Sequence, residues 1–398
     1  MRIALIAPQP FIDIRATSME NLRLSRLLAD AGHTVDVLTY PIGDAPEHPG
    51  VNICRCRPVP GVRSVKIGFS GAKLFLDANL LSLAARLVRE RRYHCIHGVE
   101  EGAMIGILAR RKAGIPVIYD MDSVMSYEIS AGRFGRVPFA ARFMRWAESW
   151  AIRNSEMVIT ISDAMADFVR RHNPSKEVVI VPDVPMPLPA GGADRKKGEE
   201  LLPPCALGGS RIIMYTGSLA AYQGIPALVR AMPFIKEKAS SAILVIAGGN
   251  QEEISRLSAS AAKIGVGESV LFLGKVPPPD IPHLLTVADV LVSPRTGGIN
   301  PPAKIYTYMQ SGRPVVATDI PAHSSVTGRD AARLTPAEPR GIAEGILWVL
   351  SHPVEARRMA EAAKEKVRGL TVEAQTTPII RAYERLWERL NACKEIEV

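Results

Sequence analysis

The chain has 398 residues, 47% of them hydrophobic and 22% charged, with a formal net charge of +9. That length exceeds one ordinary core and predicts two domains, and no apolar run approaches the roughly eighteen residues that cross a bilayer. The five cysteines, Cys54, Cys56, Cys95, Cys205 and Cys393, are scattered and odd in number, so they read as reduced, mostly buried thiols, and no spacing among them suggests zinc.

Residues 2–7 form a nearly continuous apolar run, as in a parallel sheet covered on both faces. The run is short and lacks a small-residue cleavage site, so it reads as a strand and not a signal peptide, and the protein is expected in the cytoplasm. A helix is predicted from Thr17, with Glu20 completing a capping box, Leu22, Leu24, Leu27 and Leu28 on its apolar side, and Gly32 as its stop. Strands follow at 33–39 and 51–56. Cys54 and Cys56 share one face of the second of these, where a bridge between neighbours is geometrically poor.

From 71 to 92 the apolar residues Leu74, Phe75, Leu81, Leu83, Ala84 and Leu87 recur at helical spacing. Between residues 55 and 112, twelve Lys and Arg stand against Asp77, Glu90, Glu100 and Glu101. Such a basic half suits an anionic membrane surface or a phosphate-bearing substrate. It lacks the aromatic interleaving of a nucleic-acid module, so no nucleic-acid partner is expected. Strands are predicted at 93–97 and 115–120, with 98–102 a loop between them. Glu100, Glu101, Asp120 and Asp122 then fall at strand carboxyl ends, where ligands of open α/β sheets sit. His97 reads as a core or loop residue.

The basic stretch 133–152 carries Phe134, Phe139, Phe143, Trp146 and Trp150 and contains an amphipathic helix, read as core or as a membrane-facing surface. A strand at 157–160, a helix capped by Ser162 or Asp163 and a strand at 178–181 complete the first sheet. Residues 182–210 shift to Pro- and Gly-rich composition and mark the interdomain connection. The first domain is therefore drawn as 1–190 and the second as 205–375.

The second half restarts the strand, glycine loop, helix pattern at 211–216, with Gly217 and Ser218 after the strand and Gly224 opening the helix. Strands follow at 242–247 and 270–276, a helix at 280–287 and a strand at 287–292. Next comes Ser293-Pro-Arg-Thr-Gly-Gly-Ile-Asn-Pro-Pro-Ala-Lys-Ile-Tyr-Thr-Tyr-Met, with a helix opened by Pro301 and Pro302, a stop at Gly312 and a strand at 314–317. Strand, glycine loop and helix N-terminus aim free N–H groups and a positive dipole end at one place, suited to phosphate. Arg295 and Lys304 add formal charge there. Helices are predicted at 339–350, 353–367 and 376–393.

The ordered string from Ser293 through Asn300, Lys304 and Tyr308 to Pro314 resembles the signature of retaining GT-B glycosyltransferases of family 4, and the likeness extends over nearly the whole chain. The resemblance implies two doubly wound Rossmann-like α/β domains facing a cleft, with 376–398 returning as a helix onto the N-terminal domain. It implies sugar transfer from a nucleotide-diphosphate sugar, UDP- or GDP-sugar first, to a hydroxyl of a glycan or lipid-linked acceptor. Retention at the anomeric carbon, no metal and no other cofactor are implied with it. Cell-surface polysaccharide synthesis, peripheral on the inner face of the membrane, is the expected setting.

The residues the resemblance assigns follow. Asp122, Arg295 and Lys304 take catalytic positions. Gly217, Ser218, Gln223, Gly224, Lys275, Val276, Gly297, Gly298, Ile299, Asn300 and Thr307 line the donor. Arg15, Ala16, Thr17, Glu100 and Glu101 lie on the acceptor side. The chain departs from the family at Thr307, where a ribose-binding glutamate is common, at Gln223, where a lysine is common, at Asp122, where a histidine is common, and at Ala16, where a glycine is common. A catalytically degenerate nucleotide-sugar-binding or partner protein is the alternative these departures leave open.

Overall fold

The computed structural model describes residues 1–10, 16–44, 47–62, 65, 71–110, 113–127 and 138–396. Arg15, Arg63, Lys66, Arg111, Lys112, Arg133 and Phe134 lie outside the described residues, as do the side chains of Ala16, Thr17, Phe139 and Cys393. The chain divides into two compact units, one of Met1–Pro182 with Glu373–Val398, the other of Asp183–Val372.

Unit 1 holds seven parallel strands, β1 (Arg2–Ala7), β2 (Thr34–Thr39), β3 (Val51–Arg55), β4 (Cys95–Val99), β5 (Val117–Met121), β6 (Met157–Thr160) and β7 (Glu177–Ile180), in the order β3-β2-β1-β4-β5-β6-β7. Its helices include α1 (Ala16–Asp30), α2 (Gly71–Glu90), α3 (Glu101–Ala109), α4 (Pro138–Asn154) and α5 (Asp163–His172). The apolar β1 residues Ile3 to Ala7 are wholly buried, as a strand covered on both faces requires. Ser162 caps α5, its hydroxyl accepting from Met165 N at 3.4 Å. Glu20 accepts from Arg23 Nε at 3.0 Å, a role the capping-box reading did not include.

Two expectations are corrected here. Leu74 and Phe75 are 51% and 66% exposed, not part of the packed face. The buried stripe of α2 is Leu76, Leu80, Leu83, Ala84, Leu87 and Val88, and at about 100° per residue positions 74 and 75 fall off it. The stretch 98–102 is not a loop: β4 runs to Val99 and α3 starts at Glu101. Gly98, Gly102 and Gly106 allow this tight return. A Cβ would lie 2.2 Å from Ala103 N at Gly98, 2.2 Å from Ile6 O at Gly102 and 2.7 Å from Ile96 Cγ2 at Gly106. Glycines within the expected loop instead mark close packing.

The buried carboxylate of Asp36 in β2 ties one edge of the sheet together. It accepts from Arg2 Nη2 at 2.9 Å, Asn52 Nδ2 at 2.8 Å, Arg91 Nη1 at 2.7 Å and Tyr93 Oη at 2.7 Å. Burial alone raises such a group, but these donors outweigh it and hold the carboxyl below its ordinary value.

Unit 2 holds six parallel strands, β8 (Arg211–Thr216), β9 (Ala242–Ala247), β10 (Val270–Gly274), β11 (Val290–Ser293), β12 (Val315–Thr318) and β13 (Arg333–Thr335), in the order β10-β9-β8-β11-β12-β13. A short helix α6 (Arg195–Glu200) lies within the connecting stretch. The larger helices are α7 (Ile225–Lys238), α8 (Gln251–Lys263), α10 (Ala303–Gln310), α11 (Pro321–Ala331), α12 (Pro339–Ser351) and α13 (Pro353–Val367), with the one-turn α9 (Ile281–Leu285) between β10 and β11. Both sheets have doubly wound order, reversing between β1 and β4 in unit 1 and between β8 and β11 in unit 2. The carboxyl ends beside each reversal are the ligand positions of such sheets.

The last helix, α14 (Val372–Ile396), returns to unit 1, as expected. Its Ile379, Ala382, Tyr383 and Leu386 are buried in one core with Ile3, Leu5, Val35 and Val37. His97 is buried there too, its Nδ1 2.7 Å from Tyr383 Oη and its Nε2 3.0 Å from Asp120 Oδ2. Among the described residues no helix is long and apolar enough to cross a membrane.

Candidate functional site

In unit 2 the reversal places Gly217, after β8, next to the segment after β11 that begins Pro294-Arg295. Arg295 is almost fully buried. Its guanidinium donates to Asn300 O at 2.9 Å and Asn300 Oδ1 at 3.0 Å and lies 5.1 Å from the Tyr222 ring centroid. Gly298 has φ +111, and a Cβ there would stand 2.9 Å from Arg295 Nη2. The loop 297–300 therefore closes directly on the guanidinium, and glycine is what permits it.

Lys304, in the first turn of α10, donates from Nζ to Tyr215 Oη at 2.6 Å and to Gln223 Oε1 at 2.9 Å. Tyr215 Oη in turn donates to Ser218 O at 2.6 Å. A Cβ on Gly217 would lie 2.9 Å from Lys304 Nζ. Burial first, and the nearby Arg295 charge second, hold the Lys304 ammonium well below the ordinary lysine value. Lys304 thus stands close to the Arg295 charge, and its Nζ donates to two neutral oxygens.

Gln223 sits where a lysine would meet Lys304 as a like charge; as a glutamine its Oε1 accepts a hydrogen bond from Lys304 Nζ instead. Gly224 has φ +75, and a Cβ would come within 1.8 Å of Pro294 O, so α7 begins hard against the Arg295 segment. The N-termini of α7 and α10 both open beside these cations, where a helix dipole favours negative charge.

The other donor-side positions are more dispersed. Gly297, Ile299 and Asn300 are half-buried in the loop before α10. Lys275 is exposed just after β10, and Val276 packs on the core beneath the sheet. Thr307 is buried, and its Oγ1 accepts from Met186 N at 3.1 Å. That hydroxyl anchors the connecting strand of chain at the start of unit 2.

Sequence reasoning missed the residues under this site. His323, wholly buried in α11, joins the ends of β11 and β12. Its Nδ1 donates to Thr318 O at 2.9 Å, leaving Nε2 to accept from Ser293 Oγ at 2.9 Å. Thr318 Oγ1 donates to Arg295 O at 2.5 Å. Burial pushes His323 down to about 4, so it is neutral at ordinary pH. Nothing in the spacing of Tyr215, Ser293 or His323 distinguishes them from core residues.

In unit 1 the expected acceptor-side residues lie at the carboxyl ends of β4 and β5. Glu100 immediately precedes α3 with φ 52, the one positive φ outside glycine among the described residues. Glu101, the first residue of α3, pairs with Lys73 of α2. Asp122 is half-buried just past β5. Ala16 and Thr17 open α1, and Arg15 lies outside the described residues. Among the described residues no three His, Cys, Asp or Glu are grouped to hold a metal ion.

The family described as Glycosyl transferases group 1 matches residues 210–352, and that described as Glycosyl transferase 4-like domain matches residues 19–183. A 2-deoxystreptamine N-acetyl-D-glucosaminyltransferase of Streptomyces fradiae is 29% identical over 72% of this chain and 70% of its own. A phosphatidyl-myo-inositol mannosyltransferase of Mycolicibacterium smegmatis is 24% identical over 96% and 94%. Among solved structures, sucrose-phosphate synthase from Thermosynechococcus elongatus superposes with a TM-score of 0.81 at 20% identity, covering 98% of this chain and 99% of that one. Anabaena HepE in complex with UDP and glucose gives 0.71 at 16% identity, covering 97% and 100%. With both halves matched and the fold shared, the chain belongs to the group 1, family 4 glycosyltransferases of GT-B fold.

Proposed function

We propose that the protein transfers a sugar from a nucleotide-diphosphate sugar, UDP- or GDP-linked, to a hydroxyl of a glycan or lipid-linked acceptor, with retention and without a metal. The observation that carries this reading is Arg295, almost fully buried, with half-buried Lys304 close to it at the reversal of the unit 2 sheet, beside two helix N-termini. As the anomeric C–O bond to the diphosphate breaks, charge gathers on the departing phosphate oxygens. Fixed cations and N–H groups stabilise that charge without reorganising. The acceptor oxygen bonds to the anomeric carbon on the same face, and its proton passes to a departing phosphate oxygen. Asp122 serves as a hydrogen-bond acceptor for a sugar or acceptor hydroxyl.

Relatives whose names specify phosphatidyl-myo-inositol and 2-deoxystreptamine support a small or lipid-linked polyol as acceptor. HepE with bound UDP supports a nucleotide donor. A role in cell-surface polysaccharide synthesis at the inner membrane face draws on α4. Exposed Phe143 and Trp146, ring centroids 5.7 Å apart, stand among exposed Arg142 and Arg145. Exposed Leu74 and Phe75 begin α2. Aromatic side chains flanked by arginines suit an anionic lipid interface.

The test is calorimetry of the purified protein against UDP-, GDP-, ADP- and dTDP-sugars, with Arg295→Ala and Lys304→Ala beside it. Saturable binding of one nucleotide, lost in both variants, is expected. Binding of none, or binding indifferent to both substitutions, would overturn the reading.

A further inference from the structure

Both basic side chains of the unit 2 site are held by one short stretch, Tyr222-Gln223-Gly224, where the turn Ala221–Gln223 runs into α7. Each of the three residues grips a different part. Gln223 accepts from Lys304 Nζ through its Oε1 at 2.9 Å. Gly224 lets α7 start against Pro294 O, where a Cβ would come within 1.8 Å. Tyr222 takes hold of the Arg295 segment twice. Its carbonyl oxygen accepts from Thr296 N at 2.9 Å and from Thr296 Oγ1 at 3.2 Å. Its half-buried ring lies under the guanidinium, with Arg295 Cζ 5.1 Å from the ring centroid.

The chemistry of the two basic groups explains why one meets an amide oxygen and the other a ring. A buried lysine can give up its proton, but a guanidinium does not, so Arg295 carries its full charge at 4% exposure. A charge so far from water is costly unless some group meets it. A carboxylate against it would form a neutral pair and compete with an incoming diphosphate. The negative face of an aromatic ring attracts the guanidinium and leaves its charge uncancelled. The ring also covers the flat face of the guanidinium, so that recognition falls to the N–H groups in its plane. Two of these reach Asn300 O and Asn300 Oδ1 at 2.9 and 3.0 Å and set the rotation of that plane. The bonds to Thr296 fix the Tyr222 backbone beside the very next residue, which keeps ring and guanidinium in register.

Given the donor reading above, on which this rests, we propose that Tyr222 is a positioning residue. Its ring holds the Arg295 guanidinium charged and in one orientation, and thereby sets a preference for a nucleoside diphosphate over a nucleoside monophosphate. Tyr222 acts through Arg295, and its hydroxyl is not required.

The experiment is calorimetry of the full chain with UDP, UMP, GDP and GMP. The samples are the unsubstituted protein, Tyr222→Leu, Tyr222→Met and Tyr222→Phe. Leu and Met remove the ring in two different ways, so that a folding defect in one leaves the other. The expected result is that both weaken the bound diphosphate about tenfold and leave the matching monophosphate unaffected, so the preference collapses. Tyr222→Phe, which keeps the ring, regains it. A preference unchanged in Leu and Met, or a loss in Phe equal to theirs, would overturn the proposal. So would an equal loss for diphosphate and monophosphate, the pattern of a merely structural role. Binding of neither diphosphate by the unsubstituted protein tells against the donor reading itself, and the proposal falls with it.

Discussion

Lys304 Nζ sits 2.6 Å from Tyr215 Oη, so the amine on the first turn of α10 is positioned by a hydroxyl that rises from β8, helix and strand meeting through one bond. Removing that hydroxyl with Tyr215→Phe leaves the ring in place and takes away a partner of Lys304 and of Ser218 O. Donor affinity is expected to fall about tenfold, the worth of one hydrogen bond to a charged group. Lys304→Ala is expected to lower kcat/KM by roughly a hundredfold or more, the scale of losing one fixed group that meets transition-state charge. Steady-state kinetics with the donor identified by calorimetry checks both, and unchanged kcat/KM in Lys304→Ala would remove the residue from the mechanism.

His323 gives stability a pH dependence of defined sign. In the unfolded chain it takes up a proton near 6.5, in the folded protein only near about 4. Between those values the unfolded state holds more protons, so stability is lost as pH falls from 6.5 towards 4, by about 3 kcal/mol in all. Urea unfolding across pH 4 to 7 measures this slope, and His323→Leu is expected to flatten it.

Asp36 gives a second, separate test. With four donors converging on a wholly buried carboxylate, Asp36→Ala strands Arg2 and Arg91 and is expected to cost about 3 kcal/mol. Because the folded carboxyl lies below 3.8, its contribution is present above that unfolded value and is lost as pH falls through the folded one. Chemical denaturation at pH 7 reads the loss, and a cost under about 0.5 kcal/mol contradicts it.

Gly224→Ala combines a left-handed φ of +75 with a Cβ 1.8 Å from Pro294 O. The backbone must move, and the Arg295 segment moves with it. The melting temperature is expected to drop by several degrees, with donor affinity lost alongside. Gly297→Ala, at a position with nothing within 4 Å of its Cβ, serves as the control and is expected to leave the melting temperature unchanged.

For the membrane-facing reading of α4, Phe143→Ser combined with Trp146→Ser is expected to reduce cosedimentation with vesicles of anionic phospholipid by about tenfold, since each large aromatic contributes on the order of 1–3 kcal/mol when buried. The same change removes no buried side chain, so thermal stability stays constant. Vesicle binding that survives both substitutions assigns these aromatics to the solvated surface.

Much of this fold was legible in the chain itself. Continuous apolar runs such as Ile3 to Ala7 fixed the parallel strands, because a strand covered on both faces cannot alternate. Helix boundaries set by Gly32, Gly224 and Gly312 all carry positive φ in the structure, a conformation that only glycine adopts freely. Gly98 and Gly102 were misread, since a glycine that allows close packing and one that allows a turn look identical in sequence.

The sequence by itself determined where the glycines, the prolines and the two donor-side cations fall along the chain, because backbone freedom, helix initiation and formal charge are local properties. Only the tertiary structure decided which neutral groups hold those cations. Tyr215 and Gln223 reach Lys304 from 89 and 81 residues away, and His323 joins Ser293 to Thr318. It also decided that Tyr40 of the β2 end meets Asp77 of α2 and that Lys73 of α2 meets Glu101 of α3, since strand order and helix packing, not spacing, bring residues dozens of positions apart within reach of one another.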